Sequence, residues 1–260
     1  MINKEIVIKT WDQWSDDWYV SKRTDEIINK IVESPENVFH KKTMEAMKEY
    51  FPSLEGINIC VPASGDNHAV FAFALMGAKV TSVDISKRQL ENAEIIAKRL
   101  GLVIDFVCED SLDFTKIESD KYDMVYTSNG VNVWIDDLTK MYGNFRRVLK
   151  NKGVYILYDV HPFTRPFGND TKVVNISEKY DDIGPFNEPD QYHWRIQDFI
   201  NSLIKTGLRL EQMLELTAEY GTYWYDIGEA LPSDAGDMYN WRKNPLAALP
   251  QWILLCSRKQ

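Results

Sequence analysis

From Ile57 to Val160 the chain alternates short apolar runs with longer stretches of helical period, and this alternation constrains the fold most. "INICV" reads as a buried strand, and "HAVFAFALMGA" as a helix stopped near Gly77. "KVTSVDI" is a second strand. "SKRQLENAEIIAKRLG" follows as a helix, with Ser86 and Gln89 as a capping box and Gly101 as its stop. Strands at "VIDFVC" and "YDMVYTS", a helix over 135–149 and a strand at "VYILYDV" continue the pattern. Strands alternating with helices imply a parallel sheet covered on both faces and wound by right-handed crossovers.

The tail departs from that pattern. "QYHWRIQDFINSLIKTGL" reads as a helix, but "RLEQMLELT" and "QWILLCSRK" have no ordinary crossover helix between them and are expected to pair antiparallel at the sheet edge. Two inserts, 162–190 and 218–250, are rich in Pro, Asn, Asp and aromatics. Inserts after the carboxyl ends of strands line or cover sites, so both read as lids. Residues 1–55 read as an aromatic and helical add-on, also lid-like, with helices over 24–33 and 41–50; 56–260 form the main domain.

Composition narrows the function classes. The 260 residues carry a net charge of −9, which argues against a nucleic-acid groove. No apolar run approaches the ~18 residues of a membrane span, and the start lacks the apolar core of a signal peptide. A cytoplasmic location is expected. Cys60, Cys108 and Cys256 match no zinc spacing and read as buried, inert thiols. The four histidines show no metal-ligand spacing, so no metal is expected.

"VPASGDNHAVFAFALMGAKVTSVDIS" opens like a dinucleotide-binding unit, yet only Gly65 remains of the glycines that let a backbone approach pyrophosphate. Asp66, at the helix start, would repel an anion. Asp84 follows Gly65 by 19 residues and can accept from both hydroxyls of a ribose. The pattern points to an adenosine-type ligand without phosphates.

Together with "CEDSLD", "YDMVYTSNG" and the paired terminal strands, this stretch resembles the class I S-adenosylmethionine-dependent methyltransferases, most closely the small-molecule enzymes of the broad methyltransferase-11 type. The resemblance runs from about Asn58 to Lys259 by order of elements. It implies an α/β, Rossmann-like sheet of seven strands, six parallel and one antiparallel, with helices on both faces. It implies S-adenosylmethionine as cofactor and S-adenosylhomocysteine as product. By the same resemblance, Ala63, Ser64, Gly65 and Asp66 lie beside the methionine moiety, and Asp84 holds the ribose with Ile85 against adenine. Asp110 and Ser111 then read the adenine edge, and Thr127, Ser128 and Asn129 stand beside the departing methyl. Val61 replaces the acid usual in the first strand, and Ala63 and Asn67 replace glycines. Asp66 either faces the cofactor's ammonium in place of that acid or caps the helix; both readings stand.

Methyl transfer depends mainly on orientation and exclusion of water, with a base only where the acceptor must lose a proton. His161, directly after "VYILYDV", is the candidate base; its alternative is a hydrogen bond within the "HPFTRPF" turn. Trp14, Tyr19, Trp134, His193, Arg195 and Trp224 are the candidate acceptor contacts, the aromatics suiting a sulfonium or a planar acceptor. The function expected is methyl transfer to a small molecule by a monomer or homodimer, binding neither nucleic acid nor membrane. A catalytically silent binder of the same cofactor and, behind it, a nicotinamide-dependent oxidoreductase are the alternatives.

Overall fold

The computed structural model describes residues 3–65, 67–167, 174–186, 190–217 and 240–260. Its strands are β1 (Asn58–Pro62), β2 (Lys79–Asp84), β3 (Ile104–Cys108), β4 (Tyr122–Ser128), β5 (Leu149–Val160), β6 (Leu208–Leu216) and β7 (Trp252–Lys259). They form one sheet in the order β3-β2-β1-β4-β5-β7-β6. β1 to β5 pair in parallel, and β7 runs antiparallel to both β5 and β6. The sheet therefore has six parallel strands and one antiparallel, as the resemblance implies. The order reverses between β1 and β4, which opens a crevice at their carboxyl ends.

Side chains of successive strand residues go to opposite faces and build two cores. Ile59, Val61, Met124, Tyr126 and Ile156 pack on one face with Val70 and Phe71 of α4 (His68–Leu75) and Ala93 and Ile96 of α5 (Lys87–Leu100). Cys60, Val125, Tyr155 and Leu157 pack on the other with α6 (Leu138–Val148) and α7 (Ile196–Thr206).

The N-terminal segment forms three helices, α1 (Lys4–Asp16), α2 (Asp25–Glu33) and α3 (Lys41–Tyr50). The last two match expectation, with Thr24 capping α2, and Ile28, Ile31 and Met47 join the core of α4. α1 was not expected; Asn3 caps it by accepting from the amides of Glu5 and Ile6.

Several boundaries differ from the sequence reading. α6 starts at Leu138 because Asp137 caps the Lys140 amide, while 131–134 makes a separate short turn. α7 starts at Ile196, since 191–195 is drawn into backbone bonds with Phe186, Val133 and Ile183. The capping box at Ser86 is half formed. Ser86 Oγ accepts from the Gln89 amide, but the Ser86 amide donates to Asp84, not to the Gln89 side chain. Cys60 and Cys256 are buried as expected, whereas Cys108, at the end of edge strand β3, is exposed.

Candidate active site

The loop after β1 turns sharply through left-handed backbone at Ala63 (φ 47°) and Gly65 (φ 48°). Ser64 Oγ lies 2.7 Å from Ser82 Oγ, pinning the loop to β2. Asp84, at the end of β2, accepts from the Gly65 amide at 2.7 Å and the Ser86 amide at 2.7 Å. Burial pushes its carboxyl up to about 6, against the pull of those amides. A carboxylate has about four acceptor sites, so capacity remains for ligand hydroxyls. A Cβ at position 65 would sit 1.5 Å from Gln89 Oε1, so the Gln89 side chain would have to move.

Above this floor is a cleft of about 900 Å³. α1 contributes Lys4, Val7 and Trp11 to its lining. Lys4 Nζ lies 2.5 Å from Asp110 Oδ2 and 3.1 Å from Asp113, and its bond to Asp110 raises its pKa. Asp12 accepts from Ser86 Oγ at 2.5 Å, and Ser15 Oγ accepts from Asn92 at 2.8 Å, so α1 is tied across the start of α5. Trp11 packs edge-on against Trp14 at 5.1 Å and Trp134 at 5.3 Å.

A second cavity, of about 540 Å³, adjoins the first and shares Tyr19, Asn67, Ser128 and Asn129 with it. Asn67 Nδ2 donates to Ser128 Oγ at 3.1 Å, joining the ends of β1 and β4. Phe39, His40, Tyr126 and Tyr158 extend the walls. The loop after β4 is held by the buried Asp159 of β5, which accepts from the Gly130 amide (2.6 Å), Asn132 Nδ2 (2.6 Å) and its neighbour's amide (2.7 Å).

Of the residues expected from the sequence, Ala63, Ser64, Asp84, Ile85, Asp110, Ser111, Ser128, Asn129, Tyr19 and Trp134 line the cleft together. Gly65 reaches the site through its amide on Asp84. Asp66 and Trp224 lie outside the described residues. Thr127 is turned into the core, where its hydroxyl meets Tyr155 at 2.8 Å. Trp14 stands behind Trp11 and Trp134 instead of in the lining.

His161, the expected base, is placed elsewhere. It is buried in the turn after β5, with Nδ1 accepting from the Phe163 amide at 3.2 Å and Nε2 2.9 Å from Glu215. Burial lowers its pKa while Glu215 opposes the shift, and it lines neither cavity. His193 is likewise tied to Glu178 at 2.9 Å, and Arg195 to Asp198 at 2.8 Å beside the α7 start. Both lie outside the two linings.

Sequence reasoning missed Lys4, Val7, Gln89 and His40. Lys4 and Val7 belong to the unforeseen α1, Gln89 reads as half of a capping box, and His40 as one of four scattered histidines. His40 does cap α3, through Nδ1 on the Lys42 amide.

A family model described as a methyltransferase domain matches residues 62–157. An uncharacterized methyltransferase, YbaJ, of Bacillus subtilis (strain 168) is 25% identical over 213 residues, covering 80% of this chain and 82% of that protein. Over these residues the chain is similar to methyltransferases. Solved structures share the chain's fold at low identity. A magnesium protoporphyrin IX methyltransferase from Synechocystis PCC 6803 with bound SAH superposes with a TM-score of 0.63 at 16% identity, covering 99% of each chain. A geranyl diphosphate C-methyltransferase from Streptomyces coelicolor A3(2) gives 0.60 at 13% identity over 92% of this chain and 85% of that one. A [4+2]-cyclase gives 0.57 at 15% identity over 84% and 80%. Among the described residues, no group of three or more His, Cys, Asp or Glu could hold a metal ion. No described helix is long and apolar enough to cross a membrane.

Proposed function

We propose that this methyltransferase holds S-adenosylmethionine in the larger cleft and transfers its methyl group to a small molecule in the adjoining cavity. The carrying observation is the shared wall of Tyr19, Asn67, Ser128 and Asn129, through which ligands in the two cavities would meet at the ends of β1 and β4. Asp84 would accept from the ribose hydroxyls, Ile85 would lie against adenine, and Asp110 and Ser111 would meet its edge.

When bound, the cofactor supplies an electrophilic methyl on a sulfonium. The chain's contribution is to bind, orient and exclude water. Trp11, Tyr19 and Trp134 offer aromatic faces to a cation, and α1 covers the cleft. His161 is engaged elsewhere, whereas His40 and His68 line the adjoining cavity.

Calorimetry with S-adenosylmethionine, S-adenosylhomocysteine and NAD tests the ligand. Binding of NAD without either sulfur compound overturns the reading. Transfer of radiolabelled methyl to a metabolite extract tests the reaction. This second assay matters because one neighbour on this fold is named a cyclase, so fold alone does not specify chemistry. Tight binding with no labelled product would favour a silent binder.

A further inference from the structure

Two histidines, His40 and His68, line the smaller cavity, and their hydrogen bonds set where each ring carries its proton. His40 accepts from the Lys42 amide at Nδ1 and has Nε2 3.3 Å from the Thr217 carbonyl, so both nitrogens serve the backbone. His68, the buried first residue of α4, has Nε2 2.8 Å from the Lys22 carbonyl. A carbonyl only accepts, so in the neutral ring Nε2 carries the proton and Nδ1 the lone pair. Any hydrogen bond at Nδ1 in this tautomer is one it accepts, which is what a base requires.

The position suits that use. Asn67, the preceding residue, belongs to the wall shared with the larger cleft and donates to Ser128 Oγ at 3.1 Å. His68 therefore stands one residue from where the two cavities meet. Phe39, Tyr126 and Tyr158 give the smaller cavity aromatic walls. Its described lining includes Lys22 and neither Asp nor Glu, a poor setting for an ammonium beside a sulfonium. A planar acceptor with a neutral, weakly acidic hydroxyl fits, and such a hydroxyl becomes a strong nucleophile only as it loses its proton.

We propose that His68 is the catalytic base, its Nδ1 taking the proton of a phenolic hydroxyl in the smaller cavity. This role rests on the placement of cofactor and acceptor proposed above. The O–H bond breaks towards Nδ1 while an oxygen lone pair forms the new bond to the methyl carbon, and the electrons of the C–S bond stay on sulfur. Sulfonium and phenol become thioether and aryl methyl ether, and the imidazolium returns its proton to water.

The test compares wild type with His68→Gln in transfer of radiolabelled methyl from saturating S-adenosylmethionine to a metabolite extract. Glutamine keeps an amide donor for the Lys22 carbonyl but has no basic nitrogen. Expected is label in a product stable to alkali and released as methyl iodide by hydriodic acid. Transfer should fall at least about 100-fold in His68→Gln, with calorimetric affinity for S-adenosylhomocysteine within about twofold of wild type. A smaller fall overturns the proposal, as does a larger loss of cofactor affinity or label in an ester or an amine. Long-range proton–nitrogen NMR of the wild type needs no variant: the Nε2–H tautomer of His68 is expected, and the Nδ1–H tautomer overturns the proposal even if His68→Gln fails to fold. A wild type that binds S-adenosylhomocysteine but labels nothing overturns the transfer reading and this role with it. Labelling that survives in His68→Gln overturns this role alone.

Discussion

Asp84 combines two properties that oppose each other: burial, which disfavours its charge, and a position that calls for a charged acceptor. Its carboxyl is pushed up to about 6 in the free protein, against about 3.9 in an unfolded chain. The folded state therefore holds the proton more tightly. The stability this group contributes is complete below about pH 4 and is lost as pH rises through about 6. Urea denaturation between pH 4 and 7 should show this decline in the wild type and lack it in Asp84→Asn. Cofactor binding has the opposite sign, because hydroxyl donors favour the carboxylate. Affinity for S-adenosylhomocysteine should strengthen from pH 5 to 7, with protons released near pH 6, measurable by calorimetry in buffers of different ionisation enthalpy. Asp84→Ala should lose about 2–4 kcal/mol of affinity, on the scale of two hydrogen bonds to a charged group. Gly65→Ala should cost about 1–2 kcal/mol of stability from left-handed backbone alone and should displace the Gln89 amide. Urea midpoints check the first effect, and weakened cofactor binding the second.

Among elements, α1 and the loop after β4 both line the cleft and are held by different physics. The ion pairs of α1 to Asp113 and α5 are exposed on both sides, and Lys4 is half-exposed where it meets Asp110, so these pairs contribute little. The buried Val7 and the edge-on packing of Trp11 against Trp134 carry more. Trp11→Ala should therefore weaken cofactor binding by about tenfold, and Lys4→Ala by less than about threefold, as measured by calorimetry. The loop after β4 depends on a buried network instead. Asp159→Ala would leave the Gly130 amide and Asn132 unpaired and should cost on the order of 3 kcal/mol in urea unfolding.

For the molecule as a whole, the terminal pair β6 and β7 closes the sheet. β7 lies between β5 and β6, and Ile253, Leu254 and Leu255 are fully buried there. Because total stability is only about 5–15 kcal/mol, a strand burying this much cannot be spared. Leu255→Ala should lower unfolding stability by about 3 kcal/mol through the cavity it leaves, measured by urea titration with an unchanged m value.

The sequence by itself determined the sheet and the strand-end acid and tight loop that line one edge of the cleft. Strand alternation and helix period are set by local side-chain chemistry, so β1 to β5 and the terminal pair were legible from apolar runs. Asp84 and Gly65 were legible because a strand-end acid and a tight loop leave their spacing in the chain. Tertiary structure alone decided which of the other polar residues line the cleft. His161 and Thr127 sit at strand ends like true site residues, but each found a partner distant in sequence, Glu215 or Tyr155. Lys4 and Trp11 became lining residues only because α1 folds back across α5, and Gln89 only because Gly65 leaves room for its carboxamide. Burial and hydrogen-bond satisfaction depend on segments far apart in the chain, and no local pattern encodes them.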